Sequence, residues 1–239
     1  AKIHLANLLN HQQRYDEALV LFEQALATRE ESIKGDNADV TEVLIGMAST
    51  LHNLGRLDDA EAAYERGFAI NDRLFGPDNT YNMYIVNGLG KVAESRGDYQ
   101  LALGHYEDAA RLVRMHFPDS PDLGIVLSNV GKSHALMNHC DRALQPYADA
   151  VEILSTHLPN HWRTGASRAS YGRCLAETGE FAAAEPLILE GLDAVTRQWG
   201  AEHALAQQAM SAAEYLYEAW GKPENAAPYR VTRQVAEQQ

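Results

Sequence analysis

Apolar positions recur at spacings of three and four along nearly the whole chain. No stretch alternates with period two for long enough to form a strand. "VLIGMASTLHNL" (43–54) is one such run and "AEAAYERGFAINDRLF" (60–75) is the next. Each predicts an amphipathic helix whose apolar stripe faces a neighbour. The punctuation agrees. A Gly or Asn follows the first kind of run, where a left-handed residue can close a helix. Gly76-Pro77 follows the second and reads as a stop. "KGDNAD", "FPDSPD", "LPNHWR" and "WGAEHA" are rich in Pro, Gly, Asp and Asn and read as turns between helix pairs.

The pattern repeats. A turn, a large residue and then an alanine appear in "QRYDEA", "GRLDDA", "GDYQLA", "NHCDRA", "GEFAAA" and "GKPENA". The alanines are 18, 60, 102, 143, 184 and 226, with steps of 42, 42, 41, 41 and 42. Such regularity is the mark of a repeat architecture, in which each helix pair buries its apolar face against its neighbours. Twelve residues before each alanine stand Ala6, Ala48, Gly90, Gly131, Gly172 and Glu214. Five of the six are small, as a close crossing of two helices requires. Four residues after it come Phe22, Tyr64, Tyr106, Tyr147, Ile188 and Arg230.

On these residues the chain resembles the tetratricopeptide repeat family. That family's usual period is about 34 residues; the longer period here, with "FGPDNTYN" (75–82) as linker, is similar to the kinesin light chain variety. The resemblance implies an all-α, right-handed superhelical solenoid of six helix-turn-helix repeats. Their expected ranges are 1–37, 38–79, 80–120, 121–161, 162–202 and 203–239, the last a degenerate cap. "YEAWGKPENAAPYR" (217–230) is also similar to the end of arrays that follow bacterial Ser/Thr kinase domains. The chain opens without Met inside a periodic run, so a piece of a longer protein is expected.

Composition narrows the function. Lys and Arg total 20 against 33 Asp and Glu, a net charge of −13. An acidic chain repels nucleic acid and anionic membrane, so neither is an expected partner. No uncharged apolar run reaches the roughly 18 residues of a membrane span. Cys140 and Cys174 form no C-x-x-C, and free thiols in a reducing, cytoplasmic setting are the expectation.

"SNVGKS" (128–133) imitates the end of a phosphate-binding loop. The first glycine of that motif should stand at position 126, which is Val126. The segment also lies inside a helical run, and Gly131 falls on the small-residue register. His157 and His161 flank a proline linker without completing a zinc set. No nucleophile, acid and base converge at a known spacing. No catalytic residue, metal or cofactor is therefore expected.

The register gives Lys132 another meaning. The residue after each small position is Asn7, Ser49, Lys91, Lys132, Arg173 and Tyr215. The resemblance implies that first helices line a concave groove and that this position faces into it. The expected peptide-binding set is Asn7, Ser49, His52, Asn87, Lys91, Asn129, Lys132 and Arg173. Cations give charge-assisted bonds to carboxylates, and amides and hydroxyls can hydrogen-bond a peptide backbone. The expected function is a non-catalytic scaffold holding an extended acidic protein or peptide segment. The alternative is a regulatory or self-associating part of a multidomain signalling protein.

Overall fold

The computed structural model describes residues 2–32 and 37–230, and every structural statement below refers to these. They form two compact units. The first, Ala1–Pro118, holds α1 (Lys2–His11), α2 (Tyr15–Ser32), α3 (Ala38–Asn53), α4 (Leu57–Phe75), α5 (Thr80–Ser95) and α6 (Tyr99–His116). The second, Asp119–Gln239, holds α7 (Pro121–Leu136), α8 (Cys140–His157), α9 (Trp162–Glu177), α10 (Phe181–Trp199), α11 (Ala204–Ala219) and α12 (Pro223–Ala226). A short 3-10 turn, Ala227–Tyr229, follows α12. The turn expected at "KGDNAD" lies partly outside the described residues, as does the end of the sixth range beyond 230.

The helix ends follow the turn chemistry. Asn79 and Ser120 accept backbone N–H groups at the starts of α5 and α7, and the Pro at the first position of α7 needs no N–H there. His161 and His203 do the same for α9 and α11 through Nδ1, at 3.2 Å each. After a first helix the chain turns through a positive φ. Gly supplies it in four pairs, while Gln13 and Asn138 adopt φ 60 in the other two.

The core is built on the repeated positions. All six signature alanines are fully buried, and the large residues four positions on, Phe22 to Ile188, are at most 5% exposed. Each ring occupies space that a first-helix glycine leaves open. A Cβ on Gly90 would lie 2.6 Å from Tyr106, and one on Gly131 would lie 2.8 Å from Tyr147. The triplet Gly131-Lys132-Ser133 is therefore the middle of α7, and its glycine serves packing. Glu214 is tolerated at the sixth small position because α12 is a single turn, so no long partner helix crosses α11 there. Phe181 stacks on Trp220, and Tyr217 on Tyr229, over that shortened end.

One expectation fails. Cys140 and Cys174 are not free thiols but a disulfide, spanning 34 residues of sequence. Cys140 opens α8 and Cys174 lies two residues after Gly172 on α9. Stacking of consecutive pairs brings their Cα atoms to 5.0 Å, within the reach of a cystine. No helix is long and apolar enough to cross a membrane.

Candidate functional site

In the second unit the first-helix register converges on a cavity of about 380 Å³. α7 contributes Ser128, Asn129 and Lys132. α9 contributes Ala166, Ser170, Arg173 and Glu177, spaced four, three and four apart, so they form one stripe of the helix. Trp162, Arg163 and Ser167 from the same helix, and Gln208 and Ala212 from α11, complete the walls. Cys140, Tyr147 and Leu154 of α8 lie beneath.

The charged lining is one-sided. Lys132, Arg163 and Arg173 face the cavity against the single carboxylate of Glu177, in a chain of net charge −13. Arg173 is held in place: its Nε donates to Glu177 Oε1 at 2.7 Å, and its guanidinium carbon stands 3.7 Å from the Tyr215 ring centroid. The Arg163 guanidinium lies 4.5 Å over Trp162. Burial lowers the Arg163 pKa from its usual high value, with Asp122 acting the other way. An arginine nevertheless remains charged, because it begins far above neutrality. Trp162 meets Trp199 edge-on at 6.0 Å, and His203 stacks on Trp199 at 5.3 Å. These rings fix the end of α9 from which Arg163 projects.

The remaining expected residues lie in the first unit. His52 Nε2 is 2.9 Å from Ser95 Oγ, and its pKa is lowered first by burial and then by the charge of Lys91. His52 and Lys91 are thus neighbours. Ser49 hydrogen-bonds the Tyr64 hydroxyl, a contact that opposes the rise of that phenol to about 12 caused by burial. Asn7 is exposed on α1 and Asn87 half-buried on α5. Several polar residues of the register tie one first helix to the next. Asn10 donates to Thr50 Oγ1 at 2.8 Å, and the Ser128 and Ser167 hydroxyls are 2.7 Å apart. The expected set holds none of these four residues, and it also lacks Trp162, Arg163 and Gln208, which line the cavity. Arg163 lies ten residues before Arg173, about 80° round α9, so the row that carries Arg173 does not reach it.

The family follows from the repeat geometry and from direct comparison. The tetratricopeptide repeat model matches residues 1–73, 39–115 and 79–156. The chain belongs to the tetratricopeptide repeat family. Among curated proteins no sequence relative matches. Among solved structures, BtubC (BKLC) from P. vanneervenii is 16% identical with TM-score 0.72, covering 90% of this chain and 88% of that one. A kinesin light chain protein of nearly identical TPR-like repeats from Podosopora anserina is 16% identical with TM-score 0.66, covering 83% and 95%. YrrB, a TPR protein with an unusual peptide-binding site, is 20% identical with TM-score 0.55, covering 86% and 88%. The tetratricopeptide repeats here are of the long, kinesin light chain-like variety.

The histidines of this tetratricopeptide array carry a pH dependence. His52, His105 and His161 all have pKa values below the ordinary 6.5, each mainly through burial. Between the folded and unfolded values the unfolded chain holds more protons, so stability is full above about 6.5 and falls as pH drops below it. The urea midpoint should therefore be lower at pH 5.5 than at pH 7.5. His161→Asn keeps a capping acceptor without a titrating ring, and it should reduce that difference. An equal difference in the variant would remove His161 from the account.

Proposed function

We propose that this tetratricopeptide protein is a non-catalytic interaction scaffold, and that the second-unit cavity holds an extended acidic segment of a partner protein. The carrying observation is the excess of Lys132, Arg163 and Arg173 over Glu177 in a cavity of an otherwise acidic chain. Asn129 and Ser170 beside them are suited to peptide backbone groups. The fold supports a scaffold role, and YrrB shows that a TPR protein of related fold can carry a peptide-binding site. His52, Asn87 and Lys91, with Asn7 and Ser49, are the proposed set of the first unit, taken by itself.

The test is equilibrium binding of a fluorescein-labelled decaglutamate peptide, read by anisotropy. Lys132 is exposed on α7, so Lys132→Glu should leave the far-ultraviolet circular dichroism unchanged. Its affinity should fall at least about tenfold, since a close charge-assisted bond becomes a repulsion. Wild-type affinity should also weaken as salt rises. Unchanged binding by Lys132→Glu would move the site elsewhere, and Lys91→Glu would then test the first unit.

A further inference from the structure

We propose that the Cys140–Cys174 disulfide gates the second-unit cavity: closed, it holds α9 on α8 in the binding geometry, and reduction by a dithiol weakens capture of an acidic segment. The proposal rests on the cavity being the acidic-segment site. Both cysteines line that cavity. Cys140 is 7% and Cys174 1% exposed, and Cys174 directly follows Arg173 in sequence. The bond joins two consecutive helix pairs across the wall that carries the cations.

The seam beneath it has few other large anchors. The cystine sits with Ala143 and Tyr147, bordered by Ala135, Leu144 and Tyr171. Tyr147 is the one large fully buried side chain of that cluster. Gly165 and Gly172 of α9 pack on α10, and α9 reaches α8 through Thr164 Oγ1, which donates to the Leu158 carbonyl oxygen at 2.6 Å, and Arg168, which donates to Ser155 Oγ at 3.0 Å. Such hydrogen bonds add little apolar burial, and the buried apolar cluster around the cystine is small. Without the crosslink, α9 is freer to shift against α8, and Arg173 shifts with it relative to Lys132. Charge-assisted bonds need about 2.7–2.9 Å, so a carboxylate segment that engages both cations is sensitive to that spacing.

The chemistry is thiol–disulfide exchange. One thiolate of a dithiol attacks the Sγ of Cys140, the less buried of the two residues. The S–S bond breaks, and Cys174 leaves as a thiolate that takes a proton. The second thiol of the reductant then attacks the mixed disulfide, closes its own ring and releases Cys140, which is protonated in turn. Two electrons pass to the protein, and the reductant becomes a cyclic disulfide. By linkage, a bound acidic segment favours the closed bond by the factor through which closure favours binding.

The experiment measures decaglutamate binding by anisotropy at 20 °C before and after dithiothreitol, with thiols counted and far-ultraviolet circular dichroism recorded. Untreated protein should show no free thiol and should bind. Reduction should weaken binding at least tenfold with helicity unchanged, and oxidised glutathione should restore it. Cys140→Ser with Cys174→Ser should bind like reduced protein; should that variant fail to fold, reduced wild type decides. Equal affinity after reduction overturns the gate and leaves the site standing. Loss of helicity on reduction also overturns it, since the bond is then only a staple. Absence of binding by the oxidised protein sinks the site and the gate together.

Discussion

Gly172→Val should lower the stability of the second unit by about 3 kcal/mol, the upper end of the usual cost of overpacking. A Cβ there would stand 2.6 Å from Ile188 Cγ1 and 2.9 Å from the Ala184 carbonyl oxygen. The second contact decides the magnitude. A side chain can change rotamer, but a backbone oxygen moves only if α9 and α10 separate, and that opens their shared core. The loss of glycine's unfolded-state freedom works the other way by less than about 1 kcal/mol. Gly104 supplies the control. It lies inside α6 with nothing within 4 Å of its Cβ position, so Gly104→Ala should stabilise by up to about 1 kcal/mol through helix propensity. Urea unfolding of both variants checks the pair. A loss well under 1 kcal/mol for Gly172→Val would show that these helices separate easily and that the register carries little packing.

The same contrast shows what the sequence made legible. The alanines at 18 to 226 and the rings from Phe22 to Tyr147 are spaced by a packing requirement, and a requirement repeated six times is visible as a period. Gly131 could be withdrawn from a phosphate loop because its counterparts Gly90 and Gly172 are small for the same reason, a large side chain of the second helix. Lys132 and Arg173 were reached through that register, and they do line one cavity. Arg163, Trp162 and Gln208 were not reached, because they sit at helix ends and on other rows where no repeated position announces them. The hydroxyl of Ser49 was visible as a groove residue, but a one-dimensional register does not distinguish a group facing a ligand from one bonded to a second helix, as Ser49 is to Tyr64. The cysteines were misread for a related reason. Their pairing depends on the stacking of α8 on α9, and a spacing of 34 residues resembles no local motif.

Replacing both Cys140 and Cys174 by Ser should cost the second unit about 4 kcal/mol. In the chain-entropy account, a crosslink restricts the unfolded ensemble in proportion to the logarithm of the loop it closes. A loop of 34 residues falls between the roughly 3 kcal/mol of a 15-residue loop and the 4.7 of a 100-residue loop. The serines add a smaller loss, since two buried cysteines (7% and 1% exposed) give way to hydroxyls that need partners. For a unit of about this size, the melting temperature should fall on the order of 15 °C. The loss should appear as a lower melt of the second unit while the melt of the first stays in place, since stability in repeat arrays is a sum of local and nearest-neighbour terms. Calorimetry of wild type with and without dithiothreitol, beside the double variant, separates the causes. Reduction alone restores the free thiols, which pack as small apolar groups, so reduced wild type should lie between the two. If reduced and oxidised wild type melt together, the bond adds no stability. The Thr164 and Arg168 hydrogen bonds and the packing around Tyr147 would then be holding the seam by themselves.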